Sequence, residues 1–212
     1  MFLSWDKEIQ RHGGKLPHWH QELGTQFVTF RLGDALPAAK TRLWREQRQA
    51  WLKDHPQPWS LQIEQEYHRT FTARLEEWLD QGMGCCLFRD AAARQVLTDT
   101  LLKFQGIRVR HHAWVIMPNH VHLLFTPAEP MEKLLQGWKA HSARRLGRGS
   151  IWQRNYRDTK IRDATHFANA LRYIRNNPVK TKLRQEEFTL WEEPPESQSA
   201  AEEGRHSVDP LP

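Results

Sequence analysis

Apolar and polar residues alternate over residues 26–32, and this period of two predicts a first β-strand. Apolar positions then follow helical spacing over residues 35–54 and again over 60–81. Two prolines lie between these segments and break the helical pattern there. We therefore expect a pair of helices, over about residues 35–81, inserted directly after the first strand.

The remaining pattern predicts two helices and three strands, then a last helix that Asp163 caps and Pro178 ends. In chain order these segments are a helix at 90–104, strands at 111–117 and 120–126, a helix at 131–146, an extended segment at 156–161 and a helix at 163–176. This order predicts an α+β fold, a ferredoxin-like βαββαβ sheet with helices covering one face. The last helix is additional to that unit.

Length and composition suit one folded domain with a tail. The 212 residues show no division into two similar halves. We expect a domain over residues 1–184 and an acidic, disordered tail over residues 185–212, which is rich in Pro, Ser and Glu. There is no run of about 18 apolar residues, and the first ten residues are too polar and acidic for a signal peptide. We therefore expect a cytoplasmic protein without a membrane partner.

Positive charge is concentrated in one block of the sequence. Residues 138–184 contain 13 Lys and Arg but two acids, whereas residues 185–212 contain eight acids and one arginine. The formal net charge of +6 therefore understates the basic block. A basic excess of this density is typical of a protein that binds a polyanion such as nucleic acid, although long charged runs are also often only solvated surfaces.

The stretch WVIMPNHVHLLFTP, residues 114–127, contains a His-x-His pair among apolar residues typical of a buried strand. Side chains two residues apart on a strand project to the same face, so His120 and His122 can present two imidazoles to one cation. Such a site needs further ligands from elsewhere in the chain. The alternative is that one histidine is an ordinary core or edge residue.

The last predicted helix contains LRYIRNNPVK, residues 171–180. Tyr173 and Asn177 are four residues apart, which places both side chains on one helical face, one turn apart. A tyrosine hydroxyl can attack a metal-polarised phosphate, and an amide oxygen can join two imidazoles around a cation. The alternative is that Tyr173 packs against the sheet and Asn177 caps the helix before Pro178.

Three segments, WVIMPNHVHLLF, IWQRNYRDTKIRD and LRYIRNNPVK, in this order and spacing resemble the REP-associated tyrosine transposases, of the single-tyrosine branch of the HUH nucleases. The resemblance extends over about residues 26–183 and implies a ferredoxin-like catalytic domain that cuts single-stranded DNA beside palindromic hairpins. It implies that His120, His122 and Asn177 bind the metal. It also implies that Tyr173 is the nucleophile.

The resemblance implies a chemistry and a set of partners as well. A divalent ion, Mg²⁺ or Mn²⁺, polarises the scissile phosphate, and Tyr173 attacks it to leave a covalent 5′-phosphotyrosine link and a free 3′-hydroxyl. The partner is single-stranded or hairpin DNA of the REP type, bound by a monomer or homodimer that is nucleoid-associated on DNA. Two alternatives remain open. One is a domesticated regulator that binds hairpins without cutting them, and the other is a metal hydrolase for small molecules or RNA, which would not need Tyr173.

Basic and aromatic residues of the positive block are the candidates for DNA contact. Arginines would bind phosphates, and Trp138 or Trp152 would stack on a base of single-stranded DNA. The candidate DNA-binding set is Arg144, Arg145, Arg148, Trp152, Arg154, Arg157, Lys160 and Arg162. Tyr156 lies in the same block and competes with Tyr173 for the role of nucleophile, although the family pattern favours Tyr173.

Overall fold

Five antiparallel strands form one sheet in the computed structural model, which describes residues 24–194. The strands are β1 (Gln26–Arg31), β2 (Val109–Ile116), β3 (His120–Pro127), β4 (Arg157–Lys160) and β5 (Thr189–Glu192). Their order across the sheet is β4-β1-β3-β2-β5. The predicted α+β class is confirmed, and the elements from β1 to β4 follow one another in βαββαβ order.

The helices of the described residues are α1 (Ala38–Asp54), α2 (Leu61–Tyr67), α3 (Ala73–Asp80), α4 (Ala91–Leu102), α5 (Met131–Arg145) and α6 (Ala164–Lys180). The first three form the helical insertion, in which a π-helical turn at His68–Thr72 joins α2 to α3. Ser60, Asp90 and Asp163 cap α2, α4 and α6, each accepting a hydrogen bond from a backbone N–H of the first turn. No helix in this part of the chain is long and apolar enough to cross a membrane.

Apolar cores lie on both faces of the sheet. Because neighbouring residues of a strand point to opposite faces, Val28 and Phe30 of β1 pack in the core that includes α4 and α5. Phe27 instead packs with Ala170 and Ile174 of α6. The last helix, α6, which is additional to the predicted βαββαβ unit, therefore covers the opposite face of the sheet.

Residues 185–192, which the sequence pattern assigned to a disordered acidic tail, are folded. A 3-10 turn at Gln185–Glu187 leads into β5, which pairs with β2. The rings of Trp114 and Trp191 stack nearly parallel with their centroids 5.8 Å apart. The folded domain therefore extends beyond residue 184, and residues 195–212 of the predicted tail lie outside the described residues.

Arg94 of α4 connects the segment before α4 to the segment that leads into β5. Its side chain is buried. The guanidinium donates hydrogen bonds to the backbone oxygens of Phe88, Arg89 and Glu186 and to the hydroxyl of Thr189. One buried cation thus joins three segments through directional bonds.

We expect Arg94→Ala to lower the free energy of unfolding by about 3 kcal/mol, because several acceptors lose a charged donor at once. Urea denaturation measures this difference. Arg89→Ala is the matched control, since the Arg89 side chain is 58% exposed and its loss should cost less than about 0.5 kcal/mol. An Arg94→Ala variant as stable as the wild type would show that these bonds do not hold β5 in place.

Candidate active site

His120 and His122 lie side by side on β3, on the face that α6 covers. Both side chains are fully buried. Their Nε2 atoms are 3.0 Å apart, and the two rings meet edge to face. The alternation of a strand produces this pair, because Val121 between them points into the core on the other face.

Neighbouring side chains orient both imidazoles. Nδ1 of His120 is 2.7 Å from Oδ1 of Asn119, whose own amide nitrogen donates to the backbone oxygens of Leu79 and Met83. Because that oxygen can only accept, Nδ1 of His120 carries the proton and Nε2 has the lone pair. Nδ1 of His122 is 2.7 Å from the hydroxyl of Thr29, its partner in the register of β1 and β3.

Burial keeps both imidazoles neutral. It is the largest cause that lowers the pKa of His122 to about 3, and the positive charges of Arg157 and Lys180 act in the same direction. Burial also lowers the pKa of His120 well below its usual value, with His122 as the next cause. Both side chains are therefore uncharged at neutral pH, which is the form that binds a metal ion.

Helix α6 brings Tyr173 and Asn177 to the same place, as their spacing predicts. Nδ2 of Asn177 is 3.2 Å from Nε2 of His122. Oδ1 of Asn177 is buried and has no hydrogen-bond partner among the described residues. An amide oxygen that lacks a partner beside two neutral imidazoles fits a divalent cation, so the residues present suit the metal that the family resemblance implies.

A cation at this site would need ligands in addition to the two imidazoles. Within residues 24–194, no three His, Cys, Asp or Glu side chains are grouped so that they could hold a metal ion. Two imidazoles alone do not complete a coordination shell, so Asn177, or oxygen atoms of a substrate, must supply further ligands.

The Tyr173 ring is half-buried and packs edge to face against two aromatic neighbours. Its centroid lies 5.1 Å from that of His122 and 5.6 Å from that of Phe27. The hydroxyl donates a 2.7 Å hydrogen bond to Oε2 of Glu76. Burial, followed by the negative charge of Glu76, raises the pKa of Tyr173 well above its usual value, so the phenol is protonated at neutral pH.

Glu76 of α3 is the site residue that the sequence did not predict. It is 5% exposed, and its Oε1 accepts a 2.9 Å hydrogen bond from Nη1 of Arg157 on β4. Its Oε2 lies 3.8 Å from Nε2 of His122. One signal was available: Glu76 shares a helical stripe with the buried residues Leu75 and Leu79, and a carboxylate on such a stripe needs a specific partner.

The predicted DNA-binding arginines do not form one surface. Arg144, Arg148 and Arg154 line a groove of about 850 Å³ between α5 and the loop that follows it. Arg145 instead pairs with Asp99 at 3.1 Å, and Arg157 points into the active site toward Glu76. Lys160 and Arg162, the last two of the predicted set, are exposed.

Trp152 is a core residue, and its predicted role in DNA stacking is wrong. Its ring lies against Phe88 and Phe30, with centroids 5.2 and 4.7 Å away, and its Nε1 donates to the hydroxyl of Ser142. At 6% exposure it offers no ring face to a base. Trp138 is buried in the same core, so the alternative stacking candidate is wrong for the same reason.

Tyr156, the competing nucleophile, lies away from this arrangement. It is half-buried beside Lys139, whose ammonium is 5.6 Å from the ring centroid. Burial is the main cause that raises the pKa of its hydroxyl, and Glu132 and Asp158 add to it. The geometry thus associates Tyr173, rather than Tyr156, with the histidines.

The known proteins to which the chain is similar are REP-associated tyrosine transposases. No family model matches it. Over 90 residues it is 29% identical to the REP-associated tyrosine transposase of Escherichia coli (strain K12). This match covers 41% of the chain and 54% of that transposase. The chain resembles the REP-associated tyrosine transposases. This match confirms the resemblance seen in the three sequence segments.

The matched region spans only about half the length of that transposase. A solved structure of a REP-associated tyrosine transposase bound to a REP hairpin aligns with 79% of this chain and 73% of its own, at 17% identity and a TM-score of 0.42.

Glu76→Ala should destabilise the fold by about 3–5 kcal/mol, because it removes one partner of a buried ion pair together with the acceptor of the Tyr173 hydroxyl. Chemical denaturation of both proteins measures the loss. The neighbouring Glu77 is exposed, and Glu77→Ala should change stability by less than about 0.5 kcal/mol. Equal losses of stability in the two variants would mean that the hydrogen bonds and ion pair of Glu76 do not stabilise the fold.

Proposed function

We propose that the protein is a metal-dependent single-stranded DNA endonuclease and strand transferase, a transposase that binds palindromic REP-type hairpins. One observation carries the proposal. The hydroxyl of Tyr173 and the Nε2 atoms of His120 and His122 converge on one buried site, although they come from elements far apart in the sequence. A nucleophile beside a cation site is the arrangement that phosphoryl transfer through a tyrosine requires.

His120, His122 and Asn177 would hold the cation, Mg²⁺ or Mn²⁺. When bound, it supplies Lewis acidity toward the scissile phosphate. The protein residues do the rest: Thr29 and Asn119 fix the imidazoles, and burial excludes water from around them. Neutral ligands leave the positive charge of the cation undiminished for the phosphate.

Tyr173 is the covalent nucleophile of the proposed reaction. Its hydroxyl oxygen forms a bond to phosphorus while the bond from phosphorus to the 3′-oxygen breaks. The phenolic proton passes to Oε2 of Glu76, the acceptor 2.7 Å away, and the departing 3′-oxygen takes a proton from water. The product is a 5′-phosphotyrosine link and a free 3′-hydroxyl. Attack of a 3′-hydroxyl on that link reverses the step and rejoins the strand.

The raised pKa of Tyr173 sets a condition on this chemistry. At neutral pH the hydroxyl retains its proton, because burial and the charge of Glu76 both disfavour the phenolate. The proton must therefore leave as the bond to phosphorus forms, and the acceptor must already be aligned. Glu76 meets that requirement through its hydrogen bond.

A regulator that binds hairpins without cutting them is the competing function. It would use the same basic groove but would not need a tyrosine hydroxyl beside two histidines.

We propose that the protein acts in the cytoplasm at the nucleoid, as a monomer or homodimer. Within a single chain, Tyr173 already lies beside the histidines of its own subunit.

His120→Ala and His122→Ala should each reduce cleavage of hairpin-bearing single-stranded DNA by more than about a hundredfold. Removal of a ligand should exceed the roughly 10- to 100-fold loss that removal of an outer partner causes at a metal site. Gel assays with hairpins from the flanks of the gene, with and without chelator, measure the rate of cleavage. His141→Ala, on α5, is the matched control and should cut normally. Unimpaired cutting by either variant, or in chelator, would remove the metal from the mechanism.

Tyr173→Phe should eliminate the covalent protein–DNA adduct on a denaturing gel and leave hairpin affinity within about twofold, because only the nucleophilic oxygen is lost. Tyr156→Phe is the matched control and should form the adduct at the wild-type rate. The reverse pattern would assign the nucleophile to Tyr156. An adduct absent from the wild type in every metal would favour the non-cleaving regulator.

A further inference from the structure

A small basic cavity lies between the helical insertion and the β1–β4 edge of the sheet. It has a volume of about 70 Å³. Four arginines, Arg31, Arg45, Arg48 and Arg157, line it together with apolar and aromatic residues, and none of its lining residues in the described part of the chain is acidic. Because Arg157 is paired with Glu76, the other three arginines are the ones that would bind phosphate oxygens.

The walls of the cavity hold some of these arginines in fixed positions. Nε of Arg48 donates a 2.6 Å hydrogen bond to the hydroxyl of Tyr67, and its guanidinium lies over the rings of Trp44 and Tyr67. Nε of Arg31 donates to the side-chain oxygen of Gln153. Because these contacts order the side chains before any ligand arrives, binding costs less conformational entropy.

The inner end of the cavity adjoins the active site. Thr29, which lines the cavity, is hydrogen-bonded to Nδ1 of His122. Arg157 also lines the cavity and donates to Glu76, the residue that accepts from Tyr173. A group in the cavity is therefore separated from the proposed reacting centre by a single layer of side chains.

The cavity and the large groove beside α5 share part of their walls. Gln153, Asn155 and Tyr156 line both spaces. The groove contributes three further arginines, Arg144, Arg148 and Arg154. Arginines therefore line two neighbouring spaces, one beside α5 and one beside the insertion.

We propose that this cavity binds a backbone phosphate of the single DNA strand next to the scissile phosphate. The assignment rests on the proposed function. The volume is sufficient for a phosphate group. The walls shared with the groove favour a strand phosphate over free phosphate, because successive phosphates of one strand can reach both spaces. The insertion, through Arg45 and Arg48 of α1, then sets which linkage reaches Tyr173.

Arg45 is the residue to test, because it is exposed on α1 and its replacement by alanine suits a helix. Arg42 is the matched control, since it lies on the same helix, its side chain is 79% exposed, and it does not line the cavity. Affinity is measured by fluorescence anisotropy, in chelator to prevent cutting. The probe is a labelled hairpin from the flanks of the gene with single-stranded extensions. A series of probes carries one uncharged methylphosphonate at successive linkages.

Arg45→Ala should weaken binding by about tenfold at low salt and reduce the salt slope by roughly 0.7, as expected for one lost phosphate contact. Arg42→Ala should change affinity less than about twofold. One methylphosphonate position should weaken the wild type by a similar factor and cause no further loss in Arg45→Ala, which identifies the contacted phosphate. Arg45→Lys should recover part of the affinity.

Several results would overturn the assignment. The first is equal affinity of wild type and Arg45→Ala, and the second is the absence of any linkage coupled to Arg45. If inorganic phosphate at constant ionic strength competes with the probe while no linkage is coupled, the cavity takes free phosphate and the strand assignment is wrong. A separate adduct assay with metal keeps the two proposals apart. An adduct without coupling to Arg45 would support the nuclease proposal and contradict the proposed phosphate site. Coupling to Arg45 without an adduct would support the phosphate site and contradict the nuclease proposal.

Discussion

A buried carboxylate on the helical insertion connects the elements that form the candidate active site. Burial of a charge is unfavourable unless a partner and hydrogen bonds compensate for it, and Glu76 obtains both from elements outside its own helix. Arg157 comes from the edge strand β4, and Tyr173 comes from α6. The position of α3 therefore depends on β4 and α6, and the orientation of the Tyr173 hydroxyl depends on α3.

The sheet supplies the second half of the arrangement. Both of its faces are buried, so β3 places alternate residues in two different environments. Leu123 and Val121 fill the core under α4 and α5, while His120 and His122 face α6. The register with β1 places Thr29 opposite His122, where its hydroxyl orients the ring. The same burial that organises the imidazoles keeps them neutral, so the arrangement and the charge state of the two rings have one cause.

Local patterns predicted most of the fold and the residues that lie close in sequence. The α+β class, the helical insertion and the pairing of His120 with His122 follow from periodicity. So does the shared face of Tyr173 and Asn177. The structure then brings the two pairs together, which sequence spacing alone does not establish.

The errors concern features that tertiary packing decides. Glu76 is 97 residues from Tyr173, and no local pattern connects them. Trp152 lies in a basic segment of the sequence, yet its ring packs between Phe30 and Phe88, because neighbours in sequence do not determine which side of a loop is buried. β5 is only four residues long, and it forms because the edge of β2 is available for pairing and the ring of Trp114 stacks on that of Trp191.

In the proposed function, one buried site would unite a cation, held by two histidines, with a covalent tyrosine nucleophile. Tandem mass spectrometry of the proteolysed protein–DNA adduct tests this proposal most directly, because it locates the modified residue. The expected result is a nucleotide remnant joined through its 5′-phosphate to Tyr173, formed only when divalent metal is present. A remnant on Tyr156, Tyr67 or any other residue, or one formed equally in chelator, would contradict it.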